Sequence, residues 1–108
     1  MIIHNGKTTP RFRELWNPND VDRLYFSWDD MLNGATIVSS SWTVPTDWTK
    51  SAEQTDIIAD DEDGTRYSHV NSVLLATTAA LGTEVEIGNT VVFNDGRSLT
   101  RNVRILVG

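Results

Sequence analysis

The chain has 108 residues, no cysteine and a formal charge of −6, with 15 acidic residues against 9 basic ones. One domain of that size buries ~60–65% of its unfolded surface, enough for a single core. Without cysteine there are no disulfides, no thiolate nucleophiles and no cysteine-based zinc or iron–sulfur sites, and the acidic balance is poorly matched to the phosphates of nucleic acid. No apolar stretch approaches the ~18 residues of a membrane helix, and Met1-Ile2-Ile3-His4-Asn5-Gly6 lacks the apolar run of a signal peptide. A soluble protein with no membrane partner, not secreted by that route, is expected.

The segment 1–19 reads as an irregular N-terminal arm and 20–108 as the folded domain. The arm holds Gly6, Pro10 and Pro18 together with Lys7, Arg11 and Arg13, and it has no sustained alternation. Within it, Arg11-Phe12-Arg13-Glu14-Leu15-Trp16 mixes cations with large apolar groups, and Asn17-Pro18-Asn19-Asp20 is a turn signal.

From Val21 the chain reads as strands. Leu24, Phe26 and Trp28 alternate with Arg23, Tyr25 and Ser27, a period of two. Asp29 to Gly34 interrupts the pattern. Thr36 to Val44 follows, with Val38, Trp42 and Val44 assigned to one face and Ile37, Ser39, Ser41 and Thr43 to the other, until Pro45 ends the ladder. Trp48 to Ile58 is weakly patterned. Asp60-Asp61-Glu62-Asp63-Gly64 reads as an exposed acidic loop, and His69 to Thr77 as a further strand.

The last third is the most legible. Val85, Ile87, Val91 and Phe93 face one way, as do Leu99, Val103, Ile105 and Val107 after Asn94-Asp95-Gly96. A two-residue turn would put Ile87 on the face of Arg104, and a one-residue slip inverts a whole strand. A three-residue loop pairs Phe93 with Arg97, Val91 with Leu99, Ile87 with Val103 and Val85 with Ile105. It also gives Gly96 the left-handed position of a type I turn with a G1 bulge. On the outer face this register sets Thr90 beside Thr100 and Glu86 beside Arg104. It leaves Asn89 and Arg101 facing inward, where they require a partner or a place near an end. Short strands with turn signals between them, and no helical periodicity, predict an all-β fold: an antiparallel immunoglobulin-like β-sandwich.

The chemistry is sparse. The histidines are His4, in the arm, and His69, at a strand start without a Gly-x-Ser-x-Gly elbow, so no Ser–His–Asp catalyst is expected. Neighbouring carboxylates at Asp29-Asp30 and Asp60 to Asp63 do not face each other across a cleft as glycosidase chemistry requires. The acidic loop could offer oxygens to calcium, but it lacks the alternating ligand spacing and the later glutamate of an EF-hand, so a solvated turn is the simpler account. No catalytic residue, cofactor or metal is assigned.

Trp28 and Trp42 fit core positions. Trp16 and Trp48 do not, and tryptophan and arginine are enriched at binding hot spots. Arg11, Phe12, Arg13, Trp16 and Trp48 are therefore the candidate partner interface. Two readings of the arm are evenly balanced: it anchors on a neighbour, or it folds back over its own sandwich edge. A carbohydrate-binding module is a further alternative, and it requires Trp16 or Trp48 exposed in a groove.

Two blocks carry a resemblance. Asp20-Val21-Asp22-Arg23-Leu24-Tyr25-Phe26-Ser27-Trp28-Asp29-Asp30-Met31-Leu32, followed by Ala35 to Pro45 with its Ser-Trp-Thr-Val-Pro ending, resembles the opening of the phage fiber–tail adaptor family. Gly82 to Val91 and Gly96 to Ile105, with Gly-Arg after the turn, are similar to that family's closing hairpin. The arm before Asp20 is longer and more basic than the family pattern, and Ile58 to Ser68 looks like an expanded link. The resemblance implies a structural virion protein of a tailed bacteriophage, made in the host cytoplasm and present in the tail in multiple copies. Its partners would be other virion proteins, a tail or portal-proximal ring and the tail fibers. A capsid decoration or cement protein is the alternative within the structural class.

Overall fold

The computed structural model describes residues 2–4 and 13–108 of the chain. Among the described residues, eight strands form two four-stranded sheets. They are β1 (Ile2–His4), β2 (Arg13–Trp16), β3 (Val21–Ser27), β4 (Ile37–Thr43), β5 (Trp48–Asp60), β6 (Arg66–Thr77), β7 (Glu84–Phe93) and β8 (Ser98–Val107). One sheet has the order β1-β3-β6-β5 and the other β2-β8-β7-β4. The only helical element among the described residues is a 3-10 turn, Asp29–Met31.

The expectation of a wholly antiparallel sandwich with an irregular arm needs correction. Strand β1 pairs in parallel with β3 and β2 in parallel with β8, so the arm contributes an edge strand to each sheet. Strands of three or four residues are held by backbone ladders and tertiary context, and they need no hydrophobic alternation of their own. That is why the pattern of the segment did not reveal them. The other pairings, β3–β6, β5–β6, β4–β7 and β7–β8, are antiparallel.

The final hairpin follows the parity argument. Val91 pairs with Leu99, Ile87 with Val103 and Val85 with Ile105. The Phe93 amide donates to Arg97 O at 2.9 Å, and Gly96 takes φ +92°. Thr90 and Thr100 hydroxyls meet at 2.6 Å.

Bulges overturn one reading along the chain and account for the weak pattern of another stretch. The ladder of β4 slips between Ile37 and Ser39, so Val38 turns to solvent, 63% exposed, while Ile37 packs against the core beside Phe93. A bulge adds one residue and resets the alternation. The weakly patterned stretch after Trp48 is the longest strand of the fold. Its register against β6 shifts three times, and Ala52 and Asp56 take φ +49° and +56°. Breaks of that kind remove the period of two from the sequence.

The inner faces of the two sheets form the core. Leu24, Phe26, Trp42, Val73, Leu75, Ile87, Val103, Ile105 and Val107 make up most of its larger part, and Trp28, Leu32, Val91 and Phe93 its smaller one. Each fully buried aliphatic or phenyl side chain stabilises the fold by about 1.5–3 kcal/mol through loss of water contact.

Candidate interaction surface

Arg11 and Phe12 lie outside the described residues. Arg13 opens β2, paired with Arg104 of β8. Trp16 closes β2 opposite Val107, and its carbonyl accepts the Gly108 amide at 2.9 Å. Its indole is buried, with ring centroid 5.6 Å from that of Trp48 in an edge-to-face contact. Trp48 is buried as well, at the start of β5. Both belong to the larger core cluster.

The expectation that Trp16 and Trp48 present exposed anchors is therefore not met. The root of the arm folds back onto its own sandwich, because two indoles meeting across the end of the core lose more water contact there than on a surface. The carbohydrate-binding alternative loses the exposed tryptophan it required. The indole N–H groups of Trp16, Trp42 and Trp48 are buried without a hydrogen-bond acceptor among the described residues, a state that costs about 1–3 kcal/mol each. Burial of the rings outweighs it.

Trp28 is treated differently. Its Nε1 donates to Asn89 Oδ1 at 2.9 Å, and the same oxygen accepts from Asn71 Nδ2 at 2.9 Å. Asn89 Nδ2 donates to Ser40 Oγ and to Ser41 O, both at 2.9 Å. Asn71 Oδ1 accepts the Asp56 amide at 2.9 Å. This chain of bonds crosses the interior from the β5 bulge to the β4 edge. The inward Asn89 of the sequence reading thus has four partners, whereas Arg101, which would share its face, remains half-exposed and donates to the neighbouring Thr100 carbonyl at 2.8 Å. The spacing of Asn89 in its strand marked it as an inward polar residue; nothing in the sequence showed that it meets Asn71.

At the end of the sandwich near residues 29–32 and 94–97, Arg97 acts as a clamp. Its Nε donates to Asp95 at 2.7 Å, NH1 to Met31 O at 2.9 Å and NH2 to Leu32 O at 2.6 Å, and the guanidinium lies 4.5 Å from the Phe93 ring centre. This gives the Gly-Arg pair after the turn a physical role: glycine makes the turn, and the planar fork of arginine ties it to the 3-10 turn. Asp29 fixes the same end, accepting the Ser68 and His69 amides at 2.9 Å. His69 Nδ1 meets Asp56 Oδ1 at 2.7 Å, while the Ser27 hydroxyl donates to Asp29. Serine and histidine are thus committed to separate carboxylates.

The acidic loop is a hairpin turn. Asp60 pairs with Arg66 Nε at 2.8 Å across its base, Asp61 Oδ1 accepts the Glu62 amide, and Asp63 Oδ1 accepts the Thr65 amide. The Arg66 hydrogen bond holds the Asp60 carboxyl below the usual aspartate range. Burial, and the charges of Asp61, Asp63, Asp29 and Asp30 around it, push the Tyr67 hydroxyl above its ordinary value. Among the described residues no group of three or more acidic or histidine side chains is placed to hold a metal ion.

The fold and these contacts define a class: a small all-β protein whose aromatic and polar groups are spent on holding two sheets together. The family model described as podophage GP4 fiber-tail adaptor protein gp77 matches residues 17–106. The chain belongs to that family, whose members are structural tail adaptors of phages. The match begins just after Trp16, so the arm up to that residue lies outside it. No curated protein and no solved structure matches the chain.

Proposed function

We propose that this protein joins a tail or portal-proximal ring to the tail fibers of a podophage, through protein–protein contacts made in several copies per particle. The observation that carries the reading is the family match over residues 17–106, nearly the whole folded domain. After synthesis in the host cytoplasm, the domain would enter the virion as a rigid spacer. An immunoglobulin-like sandwich is the finer description of the fold. What supports it is the grouping of β3, β6 and β5 in one sheet and β4, β7 and β8 in the other, with the leading segment split between them.

Arg11, Phe12 and Arg13 are the proposed contact residues of the arm. Trp16 and Trp48 would contribute by fixing the arm's root, since their buried rings cannot reach a partner directly. Cryo-electron microscopy of intact particles tests the reading. Density for this domain between a tail ring and the fibers is expected. Density over the capsid lattice would make it a decoration protein and refute the adaptor role.

A further inference from the structure

β3, β6, β7 and β8 are held by what they bury, with Phe26, Val73, Val91 and Ile105 fully inaccessible. β5 is held differently. Trp48 at its start is buried, but residues 49–56 are all exposed, and of the rest only Ile57 and Ala59 are half-buried. In the same stretch the register against β6 shifts between Ser51 and Gln54, between Gln54 and Ile57, and between Ile57 and Ala59. Ala52 and Asp56 stand at φ +49° and +56°, a left-handed backbone that costs free energy in a residue with a Cβ. Side chains of the neighbouring strands compensate. Arg23 of β3 reaches past β6 and donates from NH1 to Ala52 O at 2.8 Å and to Ser72 Oγ at 2.9 Å. The Ser72 hydroxyl donates to Gln54 Oε1 at 2.7 Å. Asn71 Oδ1 accepts the Asp56 amide at 2.9 Å, and His69 Nδ1 meets Asp56 Oδ1 at 2.7 Å. Asn71 is fixed in turn through Asn89, so its amide oxygen is a rigid anchor.

We propose that residues 52–58 form a latch: they lift from β6 and close again while both sheets stay folded, and Arg23, Ser72 and Asn71 hold the closed state. The reason is a balance of small terms. Opening uncovers almost no apolar surface, because the stretch buries almost none. It releases two left-handed residues from their constraint. The hydrogen bonds it gives up lie at an exposed edge, where water replaces them and little net stability is lost. Segments with few buried contacts open at free energies far below that of global unfolding. The ends stay anchored, on one side by the buried Trp48 and on the other by the Asp60–Arg66 pair at 2.8 Å. Each opening bares the side of β6 that Gln54 and Ile57 otherwise cover at Ser72 and Val70. The inference concerns the isolated chain and does not depend on the adaptor reading.

Amide hydrogen exchange of the full chain, read by NMR at increasing urea, tests the latch without any substitution. Protection of the Asp56 amide, which bonds Asn71 in the closed state, should lie about a hundredfold or more below that of the β7–β8 ladder. It should also depend little on urea, because the opening exposes little surface. Arg23→Met keeps an unbranched stem and removes the donors to Ala52 and Ser72. Protection at Asp56 should then fall roughly tenfold further relative to the β7–β8 ladder. Ala52→Gly frees one left-handed position of its Cβ and should raise protection at Asp56 severalfold against the same ladder. Melting curves establish that both variants fold. An Asp56 amide in the wild-type chain with the protection and urea dependence of the β7–β8 ladder would overturn the proposal, since β5 would then open only with the whole domain. Equal losses at Asp56 and in that ladder on Arg23→Met would overturn it as well, because the arginine would then stabilise the fold at large.

Discussion

Replacing Asn89 by leucine tests the account of the interior most directly. The residue is fully buried, and its amide accepts from two buried donors, Trp28 Nε1 and Asn71 Nδ2. Leucine is close in volume but accepts nothing, so both donors lose an acceptor while remaining away from water. Each such loss costs about 1–3 kcal/mol. The Ser40 side of the network is half-exposed and can turn to solvent, which keeps its share small. The apolar surface that leucine buries returns ~1–2 kcal/mol. The net loss should be about 3 kcal/mol, or a fall in melting temperature on the order of 10–20 °C. Urea unfolding with an unchanged m-value would read it as stability and not as a change in compactness. In a cycle with Asn71→Leu, the double variant should be less destabilised than the sum of the singles by about 1 kcal/mol or more, because the second change removes a donor already orphaned by the first. A loss below about 1 kcal/mol, or strict additivity, would refute the claim that these two amides form one network across the sheets.

The same reasoning separates the tryptophans: Trp28→Phe should cost about 1–2 kcal/mol more than Trp42→Phe, because only Trp28 gives up a hydrogen bond. Chemical denaturation of the pair would show equal losses if the bond contributed nothing. Gly96→Val should destabilise the closing hairpin by ~1 kcal/mol or more. The space around Gly96 is open, so the cost is that of φ +92° alone, and an unchanged melting curve would contradict the turn geometry. For acid titration, the Asp60 and Asp95 carboxyls should show NMR midpoints below the ordinary 3.8, since Arg66 hydrogen-bonds the first and the Arg97 amide and guanidinium the second. Folded values depressed in this way lend stability that is fully present above the unfolded value of about 3.9 and disappears as pH falls through the lower folded values. Ordinary midpoints at both residues would remove the pairing argument.

The sequence by itself determined the elements whose chemistry is local. Alternation placed Leu24, Phe26 and Trp28 in the core. Parity of the apolar residues around Asn94-Asp95-Gly96 set the register of β7 and β8, because only one loop length puts both hydrophobic sets on the same side. The residues around Trp42-Thr43-Val44-Pro45 and Gly96-Arg97 carried the family resemblance. Tertiary structure decided the rest. Trp16 and Trp48 read as unplaced aromatics because they lie 32 positions apart and only the fold brings their rings to 5.6 Å. Val38 read as buried because a bulge leaves no mark in composition. The arm read as irregular because parallel pairing at a sheet edge is a property of the backbone and of the neighbour, not of the arm's own side chains. The candidate interface was only half legible for the same reason: burial is decided by what a residue meets, and a sequence shows only what it is.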